Sequence, residues 1–199
     1  MHTKLLGREY YQTAWSEPIL VLGPIVLHVS AGVVKRLLSG SPREKPRPLS
    51  AVFTYTGYAA AFLFLPLHYL THRIYPMNAD DPIDAIGPAE LDYEFVKYGL
   101  QRWPARSWLL YGGLASCVVL HGLIGAKIIW QTWFGGTRRS GDCGQDRKKI
   151  NFNPVAAASS ILVPVLVGIF RVSREPLRAL SPTITRFEAV FKKLWLYRI

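Results

Sequence analysis

Four of the five histidines lie in or at the edge of long uncharged stretches of the sequence. An ionisable side chain at membrane depth is costly, so each is a candidate functional residue. His28 lies about ten residues into the first stretch and His121 about fourteen into the third. Each is followed one helical turn later by a glycine, and six or seven residues later by a lysine: Gly32 and Lys35 after His28, Gly125 and Lys127 after His121.

This repeated pattern suits a flat macrocycle held between two helices. In helices that run in the same direction, both imidazoles fall at one level and both glycines leave room for the ring, while the lysines lie roughly 10 Å further on, near its propionates. The pattern therefore predicts a b-type haem with His28 and His121 as axial ligands. The alternative is that both histidines donate hydrogen bonds to Ser, Tyr or backbone groups and that the glycines only allow close helix packing.

His68 and His72 are four residues apart and share one helix face near the end of the second stretch. One interpretation is an interfacial pair that faces water, and the other is a metal pair or an alternative set of haem ligands. The fourth stretch contains no histidine, so we expect at most one haem. The sequence has no zinc spacing, phosphate-binding loop or dinucleotide fingerprint.

Other catalytic chemistry has little support. No Asp or Glu lies in any of the uncharged stretches, so they offer no embedded acid–base pair. A serine hydrolase would have to combine Ser107 or Ser116 with His121, and no neighbouring residue orients that imidazole. We therefore expect a protein that is not an enzyme.

The elements that position the histidines follow from the charge pattern. Four stretches of 17, 25, 20 and 21 residues contain no Asp, Glu, Lys or Arg, and about 17 to 25 apolar residues cross a bilayer as a helix. The chain is 50% hydrophobic and only 19% charged, against about 25% charged in ordinary domains. We predict an all-α polytopic membrane bundle with four transmembrane helices over residues 18–38, 49–71, 107–134 and 154–170.

The formal net charge of +11 does not indicate a nucleic-acid partner, because 11 of the 24 basic residues fall in the loops at 35–47 and 127–149 and seven lie from Arg171 to the end of the tail. Such clusters beside spans favour contact with anionic lipid headgroups, so the expected partner is the bilayer. With four spans, the polar segment 1–17, the 72–106 loop and the basic amphipathic tail 174–199 lie on one side of the membrane.

Apolar residues recur at helical spacing in two segments outside the spans, which predicts interfacial amphipathic helices. They are Leu91, Phe95 and Tyr98 in the long loop, and Ile184, Phe187, Phe191 and Leu194 in the tail. A solvated tail is the alternative.

A series of short motifs follows in order along roughly residues 7–134. They are Gly7 to Thr13, Ser16-Glu17-Pro18, Leu27-His28 through Gly32, Gly57-Tyr58 with the His68 region, Phe95-Val96 with Trp103-Pro104, and His121-Gly122 with Gly125. In this order they resemble the fungal mitochondrial outer-membrane adaptor family whose founding member complements the loss of an Mdm protein.

The resemblance implies a multi-pass protein of the mitochondrial outer membrane that recruits a bridge-like lipid-transfer protein of the Vps-thirteen group and supports lipid supply at contact sites. Family members carry a cytosolic arm with a Pro-x-Pro docking peptide upstream of the matched region. This sequence starts just before Gly7, so we expect that peptide to be missing. Pro46 and Pro48 lie between spans and do not take over its role.

The transmembrane region of this family is in turn similar to the haem-bearing anchors of succinate dehydrogenase and fumarate reductase. There an H-x3-G-x-Arg run supplies an axial histidine, and His121, Gly125 and Lys127 match it with Lys for Arg. The segment from His28 to Gly32 resembles the first-helix His/Ser/Gly region of those anchors, which in some of them contacts quinone or a haem propionate.

Three functions follow from these residues and resemblances. The preferred one is a lipid-homeostasis adaptor of the mitochondrial outer membrane. The second is a haem b anchor in electron transfer, with His121 and either His28 or His68 as ligands. The third is a structural subunit of a membrane complex.

Overall fold

The computed structural model describes residues 10–38, 48–87, 90–133 and 153–198. Within these ranges the chain forms six helices and no strand: α1 (Glu17–Leu38), α2 (Pro48–Ala59, continuing to Met77), α3 (Tyr93–Arg102), α4 (Pro104–Trp133), α5 (Pro154–Arg174) and α6 (Ser181–Lys193). Helices α1, α2, α4 and α5 are long and apolar enough to cross a membrane. The predicted all-α bundle with four spans is confirmed.

Several sequence features lie outside the described residues. They are Gly7 to Glu9, the Pro46-Arg47 turn, and most of the bases of the 35–47 and 127–149 loops.

Three spans extend beyond the predicted limits. Helix α4 begins at Pro104, three residues before residue 107, because proline suits the first turn, where its missing N–H is not needed. Helix α5 continues to Arg174, four residues past residue 170, because basic side chains are favourable beside the carbonyls of a last turn. Helix α2 continues to Met77, six residues past residue 71. It passes through the charged Arg73, whose partner is described below.

Helices α2 and α4 pack closely where glycines of one helix meet rings of the other. A Cβ added at Gly113 would lie 2.5 Å from the ring of Phe64, and one added at Gly125 would lie 3.2 Å from the ring of Phe53. These glycines therefore let aromatic side chains of α2 reach the backbone of α4, in the manner of small residues at membrane helix interfaces.

Outside the spans, α3, α6 and the loop before α3 fold into one unit, which we call the cap (described residues 78–87, 90–102 and 175–198). Its core consists of nine buried side chains: Ile83, Ile86, Phe95, Tyr98, Phe187, Val190, Phe191, Leu194 and Tyr197. Phe191 is fully buried, and its ring lies against Gly99 so closely that an added Cβ would come within 2.6 Å. The cap is therefore a packed unit and not a pair of separate helices.

This packing changes the interpretation of the two amphipathic segments. They form α3 and α6 as the periodicity indicates, but Phe95 stacks on Phe191 with ring centroids 4.5 Å apart, and Phe187 meets Phe95 edge-on at 5.2 Å. The apolar faces of α3 and α6 thus pack on each other. The alternative of a solvated tail is wrong for Ser181–Lys193, because Phe187, Val190 and Phe191 are buried.

Polar contacts fix the cap to the ends of the spans. The Gln101 side-chain amide donates to the carbonyls of Ser173 and Glu175 at 3.2 and 2.6 Å, which ties α3 to the end of α5. The Ser107 hydroxyl donates to the Gly99 carbonyl at 2.7 Å, which ties α4 to α3. The cap therefore holds a fixed position at the ends of α4 and α5.

Candidate functional site

His28 and His121 face each other across α1 and α4. Their ring centroids are 6.0 Å apart and their planes lie at 82° to one another. Two imidazoles on opposite sides of one metal ion, with metal–nitrogen bonds of about 2 Å, have ring centres roughly 6 Å apart. The structure thus brings together the two histidines that the sequence paired, at a separation suited to axial ligands.

The backbone of α2 sets the orientation of His121. Its Nδ1 lies 3.0 Å from the carbonyl oxygen of Phe53, and the Phe53 ring stacks on the imidazole with centroids 4.3 Å apart. Because a carbonyl only accepts hydrogen bonds, Nδ1 donates, and in the neutral imidazole Nε2 is then the nitrogen with the lone pair. A carbonyl partner of this kind is the usual second contact of a histidine that binds a metal through its other nitrogen.

Gly57 makes this position of His121 attainable. A Cβ at residue 57 would lie 2.5 Å from Cε1 and 2.6 Å from Nδ1 of His121, closer than any side chain tolerates. Neither Phe53 nor Gly57 was predicted for this site from the sequence. The available signal was the glycine in the middle of an aromatic-rich span, which favours close approach of a neighbouring helix.

The other residues predicted around a haem are arranged unevenly. No described atom lies within 4 Å of a Cβ placed on Gly32, whereas the Phe53 ring occupies the space beside Gly125. His28 is exposed and His121 is half-buried. Lys35 lies in the last turn of α1, and Lys127 lies six residues after His121 in α4. The two imidazoles thus lie at a separation that two axial ligands would have, but of the two predicted glycines only Gly32 has open space beside it.

His68 and His72 lie together in a different place, toward the cap. Their rings stack with centroids 4.4 Å apart, and Nε2 of His72 lies 3.1 Å from the hydroxyl of Tyr111. His72 also meets the ring of Phe95 edge-on at 5.3 Å, so protein covers part of this pair. No third His, Cys, Asp or Glu among the described residues joins them as a metal ligand.

An ion pair that was not predicted from the sequence joins the cap-side ends of α1 and α2. The guanidinium of Arg73 donates from Nη2 to Glu17 Oε2 at 2.6 Å and from Nε to both carboxylate oxygens at 2.9 Å. The Tyr69 hydroxyl donates to the same carboxylate at 3.3 Å. The sequence did contain a signal for this ion pair. Glu17 directly precedes the first uncharged stretch and Arg73 directly follows the second. In antiparallel neighbouring helices these two positions lie at the same level.

The cap also holds ionisable groups with altered titration. The Glu188 carboxylate lies 2.6 Å from the Lys192 ammonium and 3.1 Å from the Tyr98 hydroxyl. The hydrogen bond from Lys192 holds the pKa of Glu188 below its usual value. Burial, and then the hydrogen bond to Glu188, raise the pKa of Tyr98 to about 12. The protonated tyrosine is thus part of the folded cap.

The described chain therefore combines an oriented histidine pair within the spans and a packed cap outside them. Comparison with protein-family models, with curated proteins and with solved structures finds no match for this chain.

Proposed function

We propose that this chain is an integral, multi-pass adaptor of the mitochondrial outer membrane that recruits a bridge-like lipid-transfer protein of the Vps-thirteen group and supports lipid homeostasis at contact sites. The protein does this work by presenting a surface and not by catalysis. The location and the partner rest on the resemblance of residues 7–134.

The observation that supports an adaptor is the cap. A docking partner needs a surface that stays outside the bilayer in one orientation, and the bonds from Gln101 to Ser173 and from Ser107 to Gly99 provide that orientation. On its surface the cap carries large apolar side chains, with Trp195 62% and Tyr93 60% exposed. Aromatic side chains of this kind are typical anchors of protein interfaces.

The experiment is a recruitment assay in fungal cells that lack the native gene for this chain. Re-expression of the intact protein should restore the fluorescent lipid-transfer partner to mitochondria, in proportion to the amount expressed. Trp195→Ser should reduce recruitment at equal protein level. Trp133→Ser is the matched control, because that residue is 80% exposed at the opposite end of α4. Recruitment that is the same with and without the protein would refute the adaptor function.

A second function is supported by the histidine pair: a haem b anchor of the succinate dehydrogenase type. His28 and His121 would hold the iron, with Lys35 and Lys127 toward the propionates. When bound, such a group supplies reversible one-electron transfer. The residues of this chain contribute the ligand geometry: Phe53 fixes the tautomer of His121, and Gly57 allows the imidazole to reach that carbonyl.

The visible spectrum of protein produced with ample haem tests this second function. We expect a Soret band, an α-band on dithionite reduction, and loss of both in His121→Ala and in His28→Ala. His68→Ala is the control and should keep them. A spectrum without a Soret band refutes haem binding, and a band that survives His121→Ala refutes the ligand assignment. A band lost in His68→Ala but kept in His28→Ala would move the second ligand to α2.

A further inference from the structure

A groove lies where α4 begins and α5 ends, beside the last turn of α3. Its volume is about 320 Å³, and its lining residues are Leu100, Gln101, Pro104, Trp108, Phe170, Ser173 and Arg174. Pro104 is the first residue of one span and Arg174 the last of another. The groove is therefore at the depth where the hydrocarbon region gives way to lipid headgroups.

The lining has one apolar part and one cationic end. Leu100, Pro104 and Phe170 supply apolar wall, and the guanidinium of Arg174 lies 5.1 Å from the centre of the Phe170 ring. Trp108 adds an indole, an amphipathic group that is enriched at membrane interfaces. This combination matches a molecule with a charged head and an apolar body.

The cationic end is not neutralised by the described protein. Arg171 lies one turn before Arg174 and is also exposed. Among the residues that the structure describes, no carboxylate forms an ion pair with either arginine. The neighbouring Glu175 is directed to Lys97, with 3.6 Å between Oε2 and Nζ. An anion is therefore the group that this end of the groove favours.

We propose that this groove binds the headgroup of an anionic phospholipid from the surrounding leaflet. Its volume is at the lower end of small-molecule sites, which span about 300 to 1,000 Å³, so it accommodates a headgroup while the acyl chains remain in the bilayer. Arg174 lines the groove and provides the charge, Arg171 one turn earlier adds to the positive potential outside the lining, and Trp108 and Phe170 contact the apolar part. The last turn of α3 lines part of this site, but the site uses neither the exposed Trp195 and Tyr93 of the cap nor the histidine pair, and it does not depend on either functional proposal.

The test uses the full chain in nanodiscs of phosphatidylcholine doped with phosphatidylglycerol, followed by native mass spectrometry in detergent. We expect phosphatidylglycerol to stay bound in preference to phosphatidylcholine. Arg174→Gln should lower its retention about fivefold, the effect of one basic side chain near an anionic surface, and Arg171→Gln should lower it in the same direction. Arg36→Gln is the matched control, because Arg36 lies at the other end of the spans and contacts Tyr58.

Each result decides the proposal. Equal retention of the two lipids would overturn it, as would wild-type retention in both Arg174→Gln and Arg171→Gln, or an equal loss in Arg36→Gln. Because Arg171 and Arg174 are exposed, both variants should keep the helical circular dichroism spectrum of the parent. If Arg174→Gln does not keep that spectrum, the lipid retention of Arg171→Gln is the result that tests the proposal. Excess inorganic phosphate should leave the lipid in place, and displacement by phosphate would show that the site takes a free anion instead.

Discussion

The contact between Gly57 and His121 gives the sharpest test of the bundle. In Gly57→Ala the new methyl group would lie 2.5 Å from Cε1 and 2.6 Å from Nδ1 of His121, so the ring must move by about 1 Å to reach ordinary van der Waals distance. That movement breaks the 3.0 Å bond to the Phe53 carbonyl. Overpacking costs about 1 to 3 kcal/mol and a lost hydrogen bond about 0.5 to 1.5. We expect the substitution to lower the free energy of unfolding by about 1.5 to 4.5 kcal/mol.

The assay is unfolding of the detergent-solubilised protein by titration with a denaturing detergent. Gly122→Ala is the matched control, because it adds the same methyl group to α4 at a position where, apart from its chain neighbours and the local helix backbone, no described atom lies within 4 Å. If the clash is the cause, Gly57→Ala should cost much less in a His121→Ala background, since a double-mutant cycle isolates the coupling of the two sites. An equal cost in both backgrounds would refute the reasoning, and so would a Gly57→Ala variant as stable as the parent.

Three further predictions concern the ion pair and the cap. Glu17→Gln leaves Arg73 without its carboxylate, so it should lower the free energy of unfolding by about 2 kcal/mol in the same assay. This value lies between about 1 for an exposed ion pair and 3 to 5 for a buried one. An unchanged midpoint of the unfolding transition would contradict this prediction. Phe191→Ala should cost about 3 to 5 kcal/mol, and hydrogen exchange should show lost protection in α3 and α6 with the spans unaffected. Burial raises the pKa of Tyr98 from 10.0 to about 12. The stability that the protonated hydroxyl contributes to the folded state is therefore complete below pH 10 and falls as the pH rises from 10 to 12. In Tyr98→Phe the free energy of unfolding should change less over this pH range than in the parent.

The number and the approximate limits of the spans could be predicted from the sequence, because a helix must have a certain length to cross the bilayer and because charged side chains are unfavourable in its hydrocarbon region. The same constraint identified the histidines, since His28 and His121 lie at similar depth on helices that run in the same direction, and the structure places their rings 6.0 Å apart. Residue type and level along a helix are both present in a single sequence. For this reason the sequence alone could predict the pair.

The partners across helices could not be predicted in this way. The apolar stripes of α3 and α6 indicate that something apolar covers them, but the stripe is the same whether the cover is lipid or protein. In the structure Phe95 and Phe191 cover each other. Likewise, a glycine at residue 57 permits close approach without specifying which side chain approaches, and the rotation of α2 against α4 decides that it is His121. Such choices depend on tertiary packing, which local pattern does not encode.

The cap and the histidine pair lie in different parts of the molecule, and this separates the two functional proposals. The core of the cap is built from α3, α6 and the loop before α3, whereas His28 and His121 lie within α1 and α4 and contact each other and α2. Removing the imidazole of His121 should therefore leave the cap folded. An adaptor that also holds haem would lose its spectrum in His121→Ala and keep recruitment of the lipid-transfer protein. An anchor whose role is electron transfer would lose its haem spectrum and its electron-transfer activity together in His121→Ala. Recruitment of the lipid-transfer protein would then be the same in cells with and without the chain.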